Sequence, residues 1–103
     1  MKIKYKFIGW CQADNSDKVW VAIDLSDGNV NWAHDRPYVT VWGRRGKKLQ
    51  HKVVRCSFYD MSKLAITKID KGYKEIQPIE LDGVYPEFEQ DLEKTAFWAT
   101  LKV

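Results

Sequence analysis

Apolar and polar residues alternate with a two-residue period through most of the first half of the chain. Residues 2–10 set Ile3, Tyr5 and Phe7 against Lys2, Lys4 and Lys6, which predicts a half-exposed strand. Residues 19–25 predict a second strand, in which Val19, Val21, Ile23 and Leu25 alternate with Trp20, Ala22 and Asp24. Between them, Asp14-Asn15-Ser16-Asp17 is turn chemistry. Asp27-Gly28 is a hairpin signal, because glycine supplies the positive φ that a tight turn needs. Residues 30–33 predict a short strand that Arg36-Pro37 interrupts, since proline has no N–H to give to a ladder. Residues 37–42 place Val39 and Val41 on one face and Tyr38, Thr40 and Trp42 on the other. Gly43 and Gly46 then bracket a basic turn, and 47–58 predict a further strand in which Lys52 and Arg55 punctuate Val53, Val54 and Cys56.

The period lengthens after this point. Asp60 is the predicted N-cap of a helix, with Leu64, Ala65, Lys68 and Ile69 at helical spacing and Gly72 as its stop. A short segment over 76–81 and an Asp82-Gly83 turn follow. Pro86 could open a helix carrying Phe88, Leu92 and Ala96 on one side; 96–103 could equally form a closing strand. The predicted class is α+β, a twisted antiparallel β-sheet packed by one main α-helix.

A length of 103 residues predicts one domain over 1–103. With 45% hydrophobic and 30% charged residues, the composition argues against both disorder and a membrane span. Residues 1–10 alternate lysine with apolar residues and lack the apolar run of a signal peptide. Cys11 and Cys56 form neither a disulfide framework nor a zinc-ligand spacing, so an intracellular chain with free thiols is expected. Five tryptophans are many for this length, and each serves as a core anchor or a stacking surface.

A net charge of +3 conceals a separation. Residues 36–59 contain no acid but seven bases: Arg36, Arg44, Arg45, Lys47, Lys48, Lys52 and Arg55. Residues 75–93 contain seven acids and no base. The basic stretch suits a polyanionic partner. The acidic one either folds back over the bases or forms a solvated helix face opposite Phe88, Leu92 and Ala96.

No catalytic, metal or cofactor frame is expected. Gly43 to Lys48 lacks the glycine spacing of a phosphate loop and the Ser or Thr that holds magnesium. Cys56 and His51 read better as a structural thiol and a surface imidazole than as a nucleophile and base. Turn hydrogen bonding explains His34-Asp35. The informative stretch is 38–50, where a tryptophan at a strand end precedes a glycine-bracketed turn with two arginines. That places a flat aromatic surface beside phosphate donors, a combination suited to a nucleic-acid end. Equally, Trp42 could be a core or cross-strand aromatic and Arg44 could pair with an acid.

Trp42-Gly43-Arg44, with Gly46 and Gln50 following, resembles the signature of WGR domains: Trp-Gly-Arg, an apolar residue, Gly, two residues, Gly, Gln. The Trp20 strand, the Asp27-Gly28 hairpin and a helix ending in Lys71-Gly72-Tyr73 match in order, so the resemblance covers 18–74, with 75–103 as an acidic extension. WGR domains are small sheet-and-helix modules of DNA-damage-responsive poly(ADP-ribose) polymerases and of bacterial proteins in which they stand alone. In the polymerases the motif tryptophan lies against the terminal nucleotide of a DNA break, and the arginine contacts DNA or neighbouring domains. The resemblance thus implies that Trp42 covers a nucleotide and Arg44 contacts phosphate or couples to a partner. Arg45 stands in place of the apolar residue and Leu49 in place of the second glycine, departures that favour phosphate binding and an altered turn respectively. No ADP-ribosyltransferase segment is recognisable in this chain, so polymerase activity is not implied. The expected function is non-catalytic binding of DNA or RNA, at DNA ends or single-strand junctions, through Trp42, Gly43, Arg44, Arg45, Lys47, Lys48, Gln50 and Lys52. The alternative is a protein-interaction module that docks an acidic partner on the same surface.

Overall fold

The strand predicted over 19–25 is apolar on both faces, and the fold covers each of them. The computed structural model describes residues 4–13, 15–26, 34–82 and 87–101. Five strands, β1 (Lys4–Cys11), β2 (Lys18–Asp24), β3 (Arg36–Arg44), β4 (Gln50–Cys56) and β5 (Lys74–Glu75), form one sheet in the order β4-β3-β2-β1-β5. All neighbours pair antiparallel. Among the described residues, three helices follow β4: α1 (Phe58–Asp70), α2 (Pro78–Asp82) and α3 (Phe88–Thr100). The α+β class stands as expected. The Asp27-Gly28 turn and the short strand over 30–33 lie outside the described residues.

On one face of the sheet, Val19, Val21, Ile23, Val39 and Val41 pack with Leu92, Ala96 and Ala99 of α3. On the other, Phe7, Trp20, Ala22 and Tyr38 pack with Met61 and Ala65 of α1. The predicted alternation of β2 and β3 therefore holds. The single packing helix does not: α3, 13 residues long like α1, covers the second face. Its buried residues recur at i, i+4 and i+7, and two of them are alanines, so the helix can approach the strands closely. The region 96–103 is thus helical as far as Thr100, and the acidic extension supplies part of the core.

Three local expectations also change. Tyr5 pairs with Ile23 whereas Phe7 pairs with Ala22, so β1 carries an extra residue at Lys6. This bulge reverses the side-chain alternation. Tyr5 packs towards α3 and Phe7 towards α1, rather than sharing a face. The N-cap of α1 is Ser57, not Asp60: the Ser57 hydroxyl accepts from the Asp60 N–H at 3.1 Å. Asp60 then lies in the first turn, where its charge favours the positive end of the helix dipole. The strand predicted over 47–58 shortens to Gln50–Cys56, with turn before it and helix after it. The helix stops at Lys71-Gly72 as expected.

At the end of β2, Asp24 accepts from the N–H and hydroxyl of Ser26 (2.8 and 2.6 Å) and from Arg36 at 3.2 Å. Burial works to raise the Asp24 carboxyl, but Ser26 and Arg36 outweigh it and hold it below its ordinary value. Arg36, only 6% exposed, is thereby removed from the basic surface. No helix among the described residues is long and apolar enough to cross a membrane.

Leu92 is fully buried beneath β2 and β3. Leu92→Ala is expected to destabilise the domain by about 2–5 kcal/mol in urea unfolding. A loss below about 0.5 kcal/mol, the range of ordinary surface substitutions, would contradict the packing of α3 on the sheet.

Candidate functional site

The antiparallel register divides the candidate residues between faces. Trp42 stands opposite Trp20 on β2 and Gln50 on β4, and Lys52 stands opposite Thr40. These positions share the α1 face. There an open groove of about 350 Å³ is lined by Trp20, Trp42, Lys52, Lys68 and Tyr73, with Thr40 in its floor. Trp42 packs against the α1-side core as a cross-strand aromatic, is only half-buried, and lines the groove. Trp20, 5% exposed, is the core residue of the pair. Arg44 pairs with Lys18 across β2 and β3, so two cations lie side by side at the open end of the same face. Like charges in such a pair repel and gain from an anion. The Arg44 guanidinium donates to the Asn15 carbonyl at 3.4 Å.

Sequence reasoning did not identify Lys68, Tyr73 or Lys18 as site residues. For Lys68 the signal was present: Met61, Ala65 and Lys68 follow one helical stripe, and the first two are core. The stripe carries Lys68 towards the sheet, where its ammonium lies 5.3 Å from the Trp20 ring centre. Burial lowers its pKa, and Lys71 and Lys18 lower it further. Lys18 in turn lies 5.7 Å from the centre of the Tyr73 ring. Tyr73 reaches this place because Gly9 lacks a side chain: a Cβ there would stand 3.1 Å from the Tyr73 Cβ and 2.8 Å from the Phe7 ring. Among the described residues, no ion pair ties Lys18, Arg44, Lys52 or Lys68. The groove therefore couples aromatic surface to uncompensated positive charge, and can take a flat anion between them.

The other candidates lie elsewhere. Gly43, at φ +147°, lies within β3 opposite Val19, where a Cβ would meet the Leu49 side chain at 3.1 Å. The turn that follows the strand has Gly46 at φ +82° and is closed by the Lys47 N–H donating to the Arg44 carbonyl at 3.1 Å. Arg45 leaves the groove altogether. Its Nε donates to both Asp17 oxygens at 2.9 Å, its Nη2 donates to one of them at 2.5 Å, and its guanidinium lies over the Trp10 ring at 5.3 Å. Trp10 donates to the same carboxylate at 2.6 Å. The Arg45 hydrogen bonds hold the Asp17 carboxyl below its ordinary value, with burial opposing and Trp10 adding to the effect. Arg45 is thus a clamp between the β1–β2 and β3–β4 turns. Lys47 and Lys48 line a different depression, facing α3.

Cys56 and His51 point to opposite sides of β4, the thiol towards α1 and the imidazole towards α3. Burial, followed by the Asp60 and Asp35 charges, pushes the Cys56 thiol up, away from a reactive thiolate. Among the described residues, no three His, Cys, Asp or Glu side chains gather as a metal site would require. No protein-family model, no curated protein and no solved structure matches the chain.

The Arg45–Asp17 clamp has a signed pH dependence. Asp17 is depressed in the folded state, so its contribution is complete above the ordinary carboxylate value and is lost as pH falls through the folded one. Arg45→Ala is expected to cost about 1–3 kcal/mol at pH 7, as loss of charge-assisted hydrogen bonds does. The difference from wild type should shrink below about pH 4. Urea unfolding at pH 7 and pH 3 measures it, and an equal deficit at both would contradict the clamp.

Proposed function

We propose that this chain is a non-catalytic nucleic-acid-binding module of the WGR type that seats the end of a DNA, or a single-strand junction, in the groove between the sheet and α1. The single observation that carries this reading is the groove itself, in which Trp42 and Tyr73 stand beside Lys52 and Lys68. A terminal base offers a flat face to the tryptophan, and its phosphates meet the lysines. Lys18 and Arg44 extend the positive charge along the same face. An aromatic residue open on one side favours an end, because continuous duplex keeps its base faces stacked on one another. Trp42 of the Trp-Gly-Arg motif lies near the end of β3, two residues before its last residue Arg44, and lines the groove. Arg44 serves phosphate contact, whereas Arg45, held by Asp17, stabilises the turns from which that contact is made.

Titration of labelled blunt, nicked and single-stranded DNA over a range of salt tests the reading. If Lys18, Arg44, Lys52 and Lys68 neutralise about four duplex phosphates, log affinity should fall against log salt with a slope of about −3.6. Equal affinity at low and high salt would overturn it, and binding of polyglutamate with no measurable binding of any DNA would replace it with an acidic protein partner.

Two tryptophan variants separate site from scaffold. Trp42→Ala is expected to weaken end binding by about 1–3 kcal/mol. Trp20→Ala should instead cost about 3–5 kcal/mol of folding stability, as loss of a buried aromatic does. A Trp42 variant that melts like the Trp20 variant, and binds normally when folded, would remove Trp42 from the site.

A further inference from the structure

β4 is the edge of the sheet, and among the described residues no strand pairs with its outer side. It carries a groove on each face. The α1-side groove contains Lys52, and the α3-side depression, about 440 Å³, contains the adjacent residue His51 together with Lys47, Lys48 and Lys94. Alternate side chains of one strand point to opposite faces, so Lys52 and His51 mark the two sides of a single crossing point. The exposed backbone N–H groups of an edge strand are themselves phosphate donors. Among the described residues, Asp91 is the one acid lining the depression, set against three lysines and the imidazole.

We infer that the preferred ligand is a single-stranded DNA overhang that crosses the β4 edge, from the Trp42 groove on the α1 side to the Lys47, Lys48 and Lys94 depression on the α3 side. This rests on the proposed nucleic-acid reading of the Trp42 groove and specifies its substrate class. A duplex is too wide and stiff to turn around one strand, whereas a single strand has both the flexibility and the phosphate spacing. The shortest dimension of the molecule is 20 Å. Even at the closest spacing, that of a stacked strand, about 3.4 Å each, about six phosphates cover that distance. An overhang of up to this length therefore suffices to reach the far lysines. Shorter ends occupy the Trp42 groove alone.

The experiment is a salt titration of duplexes bearing thymidine overhangs of increasing length, against the blunt duplex. If Lys47, Lys48 and Lys94 each take one phosphate, the salt slope should steepen by about 2 between the blunt end and an overhang of about six nucleotides. It should then level off. The triple variant Lys47→Gln, Lys48→Gln, Lys94→Gln should lose that increment, and the corresponding triple arginine variant should keep it. A slope independent of overhang length in a protein that still binds blunt ends would overturn the crossing while leaving end binding in place; the edge lysines would then only guard against strand addition. Absence of binding to every DNA would overturn both.

Discussion

A central strand that is apolar on both faces must be covered twice, and this constraint organises the molecule. Val19, Val21 and Ile23 belong to one core cluster and Trp20 and Ala22 to the other, each essentially excluded from solvent. An antiparallel sheet can leave one side to water, but β2 leaves neither. The two long helices therefore pack against different faces of the same strands, with α1 on the Trp20 side and α3 on the Val21 side. The edge strand β4 is more exposed than β2 and β3. The two grooves that flank it follow from a core centred on β2, with the sheet extending beyond its helices.

The charge distribution follows the same division. Seven bases without an acid lie close together in sequence over 36–59. Folding separates them: Arg36 is buried on Asp24 and Arg45 is held by Asp17. Lys52 faces α1, and Lys47 and Lys48 face α3. What makes the α1 groove basic is partly Lys68 and Lys18, neither of which belongs to that stretch. Positive charge converges there through strand register and helix phase, two long-range consequences of the fold, rather than through proximity in sequence.

What was legible in the sequence was whatever depends on strict periodicity. The alternation of β2 and β3 assigned each of their residues to the correct face, and helical spacing located α1. The bulge at Lys6 was not legible, because an alternating run gives no sign of one inserted residue, and it moved Phe7 to the opposite face from Tyr5. Ser57 was passed over as an N-cap because the preceding strand was extended through it; Ser57 and Asp60 stand at capping-box spacing. The helix over Phe88–Thr100 competed with a strand because two alanines carry little strand or helix pattern beside Leu92. Of the site, Trp42, Lys52 and Gln50 were found together on one face. The destination of Arg45 depended on Asp17, 28 residues away, which no local pattern reveals.

The most direct test of the α1 groove as the binding site is a map of amide and tryptophan indole NMR shifts during titration with a short thymidine oligonucleotide. Binding in the groove predicts that the largest changes fall on Trp42, Lys52, Lys68 and Tyr73, with the buried α3-side residues Val21 and Val41 nearly unmoved. Largest changes on the exposed Phe97, Trp98 and Leu101 of the C-terminal end, with the groove residues unperturbed, would contradict it.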